Sequence, residues 1–93
     1  MNQVALLGEI VHLETKRYTP AGLSVLSLRL RNESQQDEAN LNRIVNVDIE
    51  AVIIGKLADE DLKVGDKFSF TGFLDKRSKK SNQIVFHVTE IKK

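Results

Sequence analysis

The sequence contains no cysteine, which excludes a disulfide framework and a thiolate zinc site. It has no tryptophan, one tyrosine and four phenylalanines, so few rings are available for stacking. No apolar run reaches the roughly 18 residues that a membrane helix needs. The start, Met1-Asn2-Gln3-Val4, lacks the basic-then-apolar order of a secretory leader. A cytoplasmic location with no membrane partner is the expectation. Neither sign of charge is in excess, with 14 Lys and Arg against 13 Asp and Glu for a net +1. Overall charge therefore selects no polyanionic partner; only local clustering of charge can. Catalytic signatures are missing too. There is no cysteine nucleophile, no Gly-x-Ser-x-Gly turn and no His-Glu-x-x-His helix. Gly55-Lys56 lacks the upstream glycine and the following hydroxyl residue of a phosphate loop. His12 and His87 stand alone and read as structural or simply exposed. Asp59-Glu60-Asp61 lacks the glycine and ligand spacing of a calcium loop and reads as a solvated acidic turn. The expectation is a protein that is not an enzyme and uses no cofactor or metal.

What is present is alternation. At 93 residues and 10.5 kDa, the chain fits a single domain over residues 1–93. Surface scaling gives a folded area of about 5,400 Å², with roughly 64% of the unfolded surface buried. That suffices for one small core. Hydrophobic residues make up 41% and charged residues 29%, a globular composition rather than a disordered one. A period of two dominates and predicts five strands, at Val4–Leu13, Ser24–Arg31, Arg43–Ile53, Lys67–Leu74 and Gln83–Ile91. Leu26, Leu28 and Leu30 share one face of the second strand; Val25, Ser27, Arg29 and Arg31 share the other. In the third strand Val45, Val47, Ile49, Ala51 and Ile53 would face inward, with Asn46, Asp48 and Glu50 outward. Gly8 and Gly72, inside the first and fourth strands, predict a bulge or bend. Tyr18 to Gly22 carries turn chemistry through Pro20 and Gly22. Glu33 to Asn40 is polar and aperiodic and reads as a mobile loop. Only Lys56 to Leu62 suits a helical turn, and a short one. Phe68, Phe70 and Phe86 belong to the core by their alternation, whereas Phe73 fits core or surface. A five-stranded all-β OB-fold barrel removes exposed strand edges and uses glycines at its corners; a sandwich is the alternative.

The cations carry more information than their number, because they cluster. Lys76, Arg77, Lys79 and Lys80 lie within five residues, at the tip of a predicted hairpin. Lys16 and Arg17 sit in the first turn, Arg29 and Arg31 project from one face of the second strand, and Arg43 opens the third. In OB topology the loops after the first and fourth strands flank the face of strands two and three, so these groups would line one groove. Phosphates favour such a track, since each neutralised phosphate releases counterions. The alternative is that a basic hairpin tip merely solubilises. Tyr18, beside Arg17, is the best candidate to stack on a base; it is equally suited to cap the barrel end. With so few rings, binding should be led by electrostatics and nearly indifferent to base sequence.

Asn2-Gln3-Val4-Ala5-Leu6-Leu7-Gly8-Glu9-Ile10, followed by Arg17-Tyr18-Thr19-Pro20-Ala21-Gly22, resembles the opening of bacterial single-stranded-DNA-binding proteins. The likeness is greater still to their short relatives, the primosomal replication protein N (PriB) family. It continues through Arg31-Asn32-Glu33-Ser34, Ile53-Ile54-Gly55, Gly65-Asp66, Gly72-Phe73-Leu74 and Val85-Phe86-His87-Val88, and so covers nearly the whole chain. The resemblance implies an OB-fold homodimer whose first strands pair across a two-fold axis. It implies a role in restarting stalled replication forks by binding single-stranded DNA, the primosomal helicase and other primosome proteins. Carried over by position, Arg17 and Lys76 to Lys80 match basic DNA-contacting positions. Departures from the pattern are also visible. Leu41 and Asn46 stand where better-known relatives have aromatic residues, and Glu33 stands where they have a cation. No Gly/Pro/Gln-rich acidic tail follows Lys92-Lys93. Each lost stacking platform removes about 1–3 kcal/mol of DNA affinity. Two alternatives follow: a protein-binding adaptor of the primosome with weak DNA affinity, or a tail-less single-stranded-DNA-binding protein.

Overall fold

A computed structural model describes residues 1–93. It contains six strands: β1 (Val4–Leu13), β2 (Arg17–Tyr18), β3 (Ser24–Glu38), β4 (Leu41–Ile54), β5 (Lys67–Lys76) and β6 (Ile84–Lys92). A single turn of 3₁₀ helix, Lys56–Asp59, follows β4. None of its helices is long and apolar enough to cross a membrane. The five long strands run β1-β5-β6-β4-β3 and close through β1–β3 pairing, with two-residue β2 added beside β3. This is the expected OB-fold barrel. All pairings are antiparallel except the β4–β6 seam, which is parallel and only two rungs long, Ala51 with Phe86 and Val52 with His87.

Alternation places the core as predicted. Ile10, Leu26, Leu28, Leu30, Ala51, Ile53, Phe70 and Phe86 form its centre, with Ala58 of the 3₁₀ turn and Leu62 closing one end. Phe70 and Phe86 are fully buried, while Phe68 packs on the core's edge. Val25 departs from the expected pattern. It lies on the outer face yet is buried, because β2 folds over it through the pairing of Arg17 with Val25.

The two strand glycines do different work. At Gly72 a Cβ would lie 1.8 Å from the His87 carbonyl oxygen, so no side chain fits between β5 and β6. The register slips beside it, between Thr71 and Gly72, which is the bend read from the sequence. Gly8 is not a bulge. It pairs regularly with Phe68, and β1 slips register two residues later, between Ile10 and His12. A Cβ at Gly8 would meet Leu30 at 3.4 Å and Phe70 at 3.5 Å, ordinary van der Waals distances, so the space at Gly8 would admit a methyl group where Gly72 admits none.

The largest correction concerns Glu33 to Asn40. These residues are not a mobile loop: β3 continues to Glu38 and pairs rung by rung with β4 from Leu41. Ala39 and Asn40, at φ of 52° and 64°, make the two-residue turn with positive φ at both positions that matches strand twist. Beyond Arg31 the hairpin leaves the barrel and gives the molecule its 50 Å length against 31 and 22 Å. Val47, expected inward, is 42% exposed because no barrel wall lies beneath it. The accessible area is 6795 Å², well above the about 5,400 Å² that scaling gives.

Candidate nucleic-acid interface

A groove of about 410 Å³ crosses the outer face of β3, β4 and β6. Val25, Val52, Ile54 and Val85 form an apolar floor, and His87 stands among them. Arg17 and Tyr18 line it from β2, and Lys76 and Arg77 from the end of β5. The turn from Thr19 to Leu23 sets the first side. Gly22, at φ 88°, donates its N–H to the Thr19 carbonyl at 2.8 Å, and Thr19 donates to the Leu23 carbonyl at 2.9 Å. The second side is held where the Arg77 N–H donates to the Gln83 carbonyl at 2.9 Å and the Arg77 guanidinium donates to Gln83 Oε1 at 3.3 Å. Lys79 and Lys80 extend from the exposed tip just past this rim.

The structure therefore brings together Arg17, Tyr18, Lys76 and Arg77, with Lys79 and Lys80 close in sequence. Four other candidate cations are engaged elsewhere. Lys16 Nζ donates to Asp59 Oδ1 at 2.8 Å, and Ser24 Oγ donates to the same oxygen at 2.8 Å. These contacts tie the first turn to the 3₁₀ helix. The bond from Lys16, then that from Ser24, holds the Asp59 carboxyl below its ordinary range, and the same contact raises Lys16. Arg31 grips Asp48 through two bonds of 2.8 and 3.0 Å, which lowers the Asp48 carboxyl. Arg29 donates to Glu50 at 2.9 Å. Arg43 is paired with Glu38. By contrast, Arg17, Lys76, Arg77, Lys79 and Lys80 take part in no ion pair. The acidic turn is also more than solvated: besides Asp59, Glu60 meets Lys93 at 3.2 Å.

A larger hollow of about 620 Å³ lies on another side, beside Leu7, Lys67 and Lys92. Its charges are mixed, with Glu9 and Glu33 among them, and its Arg31 is already held by Asp48. The smaller groove is the better anion track because its cations are unpaired. Sequence reasoning did not place His87, Glu14 or Glu50 in this groove. For His87 a signal was present. Phe86 and Val88 face the core, so period two turns His87 outward. Tyr18 is 64% exposed at the groove, so it does not cap the barrel end.

A family model described as another single-strand binding protein family matches residues 2–90. The replication restart protein PriB of Nitrosomonas europaea is 37% identical, over 96% of this chain and 84% of that protein. A second PriB, from Neisseria gonorrhoeae, is 36% identical over 98% of this chain and 92% of its own length. Among solved structures, priB from Ralstonia solanacearum superposes with a TM-score of 0.87 at 31% identity, covering 99% of this chain and 97% of that one. The single-stranded DNA binding protein from Thermus aquaticus superposes with a TM-score of 0.75 at 26% identity, covering 98% of this chain and 48% of that one.

Proposed function

Because the chain belongs to this single-strand binding protein family, we propose that it binds single-stranded DNA in the groove between Arg17 and Lys76, in the service of replication restart. The relatives named for replication restart support the role. The observation that carries the site is the gathering of unpaired cations along one apolar-floored groove. Cations at the rim suit phosphates, and the floor of Val52, Ile54 and Val85 suits unpaired bases. The protein acts as a homodimer and engages the primosomal helicase. Supporting the dimer, β1 pairs with β5 from Val4 but with β3 only from Glu9. The other edge of Val4–Gly8 thus carries no strand, its one side-chain hydrogen bond coming from Asn32, which donates to the Leu7 carbonyl at 2.7 Å, and the Leu7 side chain is 70% exposed.

Titration of a labelled single-stranded 36-mer across a salt series tests the DNA reading. A linear fall of log affinity with log salt, steeper by about 0.7 for each phosphate held, is expected. Glutamate at Lys76, Arg77, Lys79 and Lys80 together should flatten the slope by up to about 3 and weaken binding. Unchanged binding by that variant would remove the groove from consideration.

A second reading has its own observation. The projecting hairpin, residues 32–47, holds three acids and one arginine, and that arginine is paired. Leu41, Ile44 and Val47 are exposed there. Such a surface repels phosphate and suits a protein, so the hairpin is the proposed contact for the helicase. Co-sedimentation that survives salt and disappears when the hairpin is shortened to a turn at Asn32–Val47 would support it.

A further inference from the structure

We propose that the imidazole of His87, backed by Phe73, is the platform on which this groove stacks a nucleobase. The inference rests on the reading that the groove holds single-stranded DNA, and it adds the residue that would touch the base. Rings are scarce, and some of them are already used. Phe70 and Phe86 are fully buried. Phe68 tilts against Phe70 at 6.2 Å and lies under the Lys93 ammonium at 5.7 Å. Phe73, His87, Tyr18 and His12 remain, and His12 does not line the groove.

Phe73 and His87 are opposite partners across β5 and β6. Their rings are stacked at 4.9 Å, only 8° from parallel. His87 lines the groove, whereas Phe73 does not. The imidazole therefore has one face covered by Phe73 and itself lines the groove, next to Val52 across the β4 seam. Its ring plane is fixed from behind, which lowers the ordering cost of receiving a flat ligand. The charges around it come from four places: Arg17 from β2, Lys76 and Arg77 from the end of β5 and just past it, and the acids Glu14 from the loop after β1 and Glu50 from β4. Phosphates at the cationic rim would leave the bases pointing inward, toward the ring and its apolar neighbours. Tyr18, on the β2 side of the groove, is the other exposed ring available to the same base.

The test separates base from phosphate. Wild-type protein, His87→Ala, His87→Phe and Lys76→Ala are titrated with an oligothymidine 12-mer and with an abasic 12-mer of equal charge. Thermal unfolding is recorded for each variant. Stacking predicts that His87→Ala loses about tenfold on oligothymidine and nothing on the abasic strand, while His87→Phe stays within about twofold on both. Lys76→Ala should lose equally on the two ligands. Phe73→Leu, which keeps the core intact but removes the backing ring, should show a smaller loss confined to oligothymidine. Equal losses on both strands for His87→Ala, or none on oligothymidine, overturn the platform while leaving the groove standing. Wild-type protein that binds neither strand overturns both.

Discussion

The β3–β4 pair is one continuous ladder with two different halves. In the half that forms the barrel wall, the outer face carries Val25, Ser27, Val52 and Ile54, with unpaired cations arriving from neighbouring loops. In the half that projects, Arg43 is bound to Glu38 and the remaining charges are acids. Between the two halves, Arg29 with Glu50 and Arg31 with Asp48 sit directly opposite each other and mark the border. What differs is whether a carboxylate lies within reach of each cation. Arg29 and Arg31 have one directly across the ladder, and Arg43, which faces Gln36, reaches Glu38 on the same hairpin. An arginine already paired offers a phosphate little, because binding must first break that pair. Function on this face depends on which cations are left without an acid.

The comparison can be broken most strongly at Gly72. Alanine there would place a Cβ 1.8 Å from the His87 carbonyl oxygen and force β6 away, disturbing the groove and sparing the hairpin. A stability loss of about 3 kcal/mol in denaturant titration is expected; a loss below about 1 kcal/mol would show that the β5–β6 spacing is soft. A milder change sharpens the contrast. Glu50→Gln removes an acid from the groove and releases Arg29, so DNA affinity should rise about two- to fivefold at low salt. Arg31→Ala, at the border but outside the groove, should change it less than about twofold; equal effects would erase the distinction. The smallest effect concerns pH. Asp59 sits lower in the folded protein than its ordinary value of 3.8, so its contribution is complete above that value and is lost as pH falls through the folded one. The unfolding midpoint should hold near neutrality and drop below about pH 4. Asp59→Asn should lower it at pH 7 and leave it less sensitive to acid.

The barrel half was legible because burial writes a strict alternation. Leu26, Leu28 and Leu30 face Ile53, Ala51 and Ile49, and a one-residue slip would expose all six. The projecting half was not legible for the same reason. With no wall beneath it, nothing requires Asn32 to Glu38 to alternate. The turn was hidden as well, since Ala39-Asn40 lacks the glycine that usually marks a positive-φ pair. One missed turn then hid the ion pairs. Once Ala39 and Asn40 are placed at the tip, the residue numbers of every facing pair add to 79, from Val25 with Ile54 to Glu38 with Leu41. Arg29 must then meet Glu50, and Arg31 must meet Asp48. The basic tip was legible because its charges are adjacent in sequence. For His87 only its outward direction was legible; its ring partner and its cations come from two other strands, β5 and β2, far away in sequence.

The closure of β1 has a consequence for how the chain is made. Val4 to Glu9 pair with β5 at residues 67–72, far along the chain. The β3–β4 hairpin needs only neighbours in sequence and can zip within microseconds of being complete. At roughly 5–20 residues per second of synthesis, Val4 at the start of β1 would wait about 3–14 s for its partner Gly72. For those seconds Val4 to Gly8 have no strand beside them, although Glu9 to Leu13 already have β3. The start of the chain is thus sheltered only when β5 arrives, and its exposure is set by the speed of translation rather than by the speed of folding.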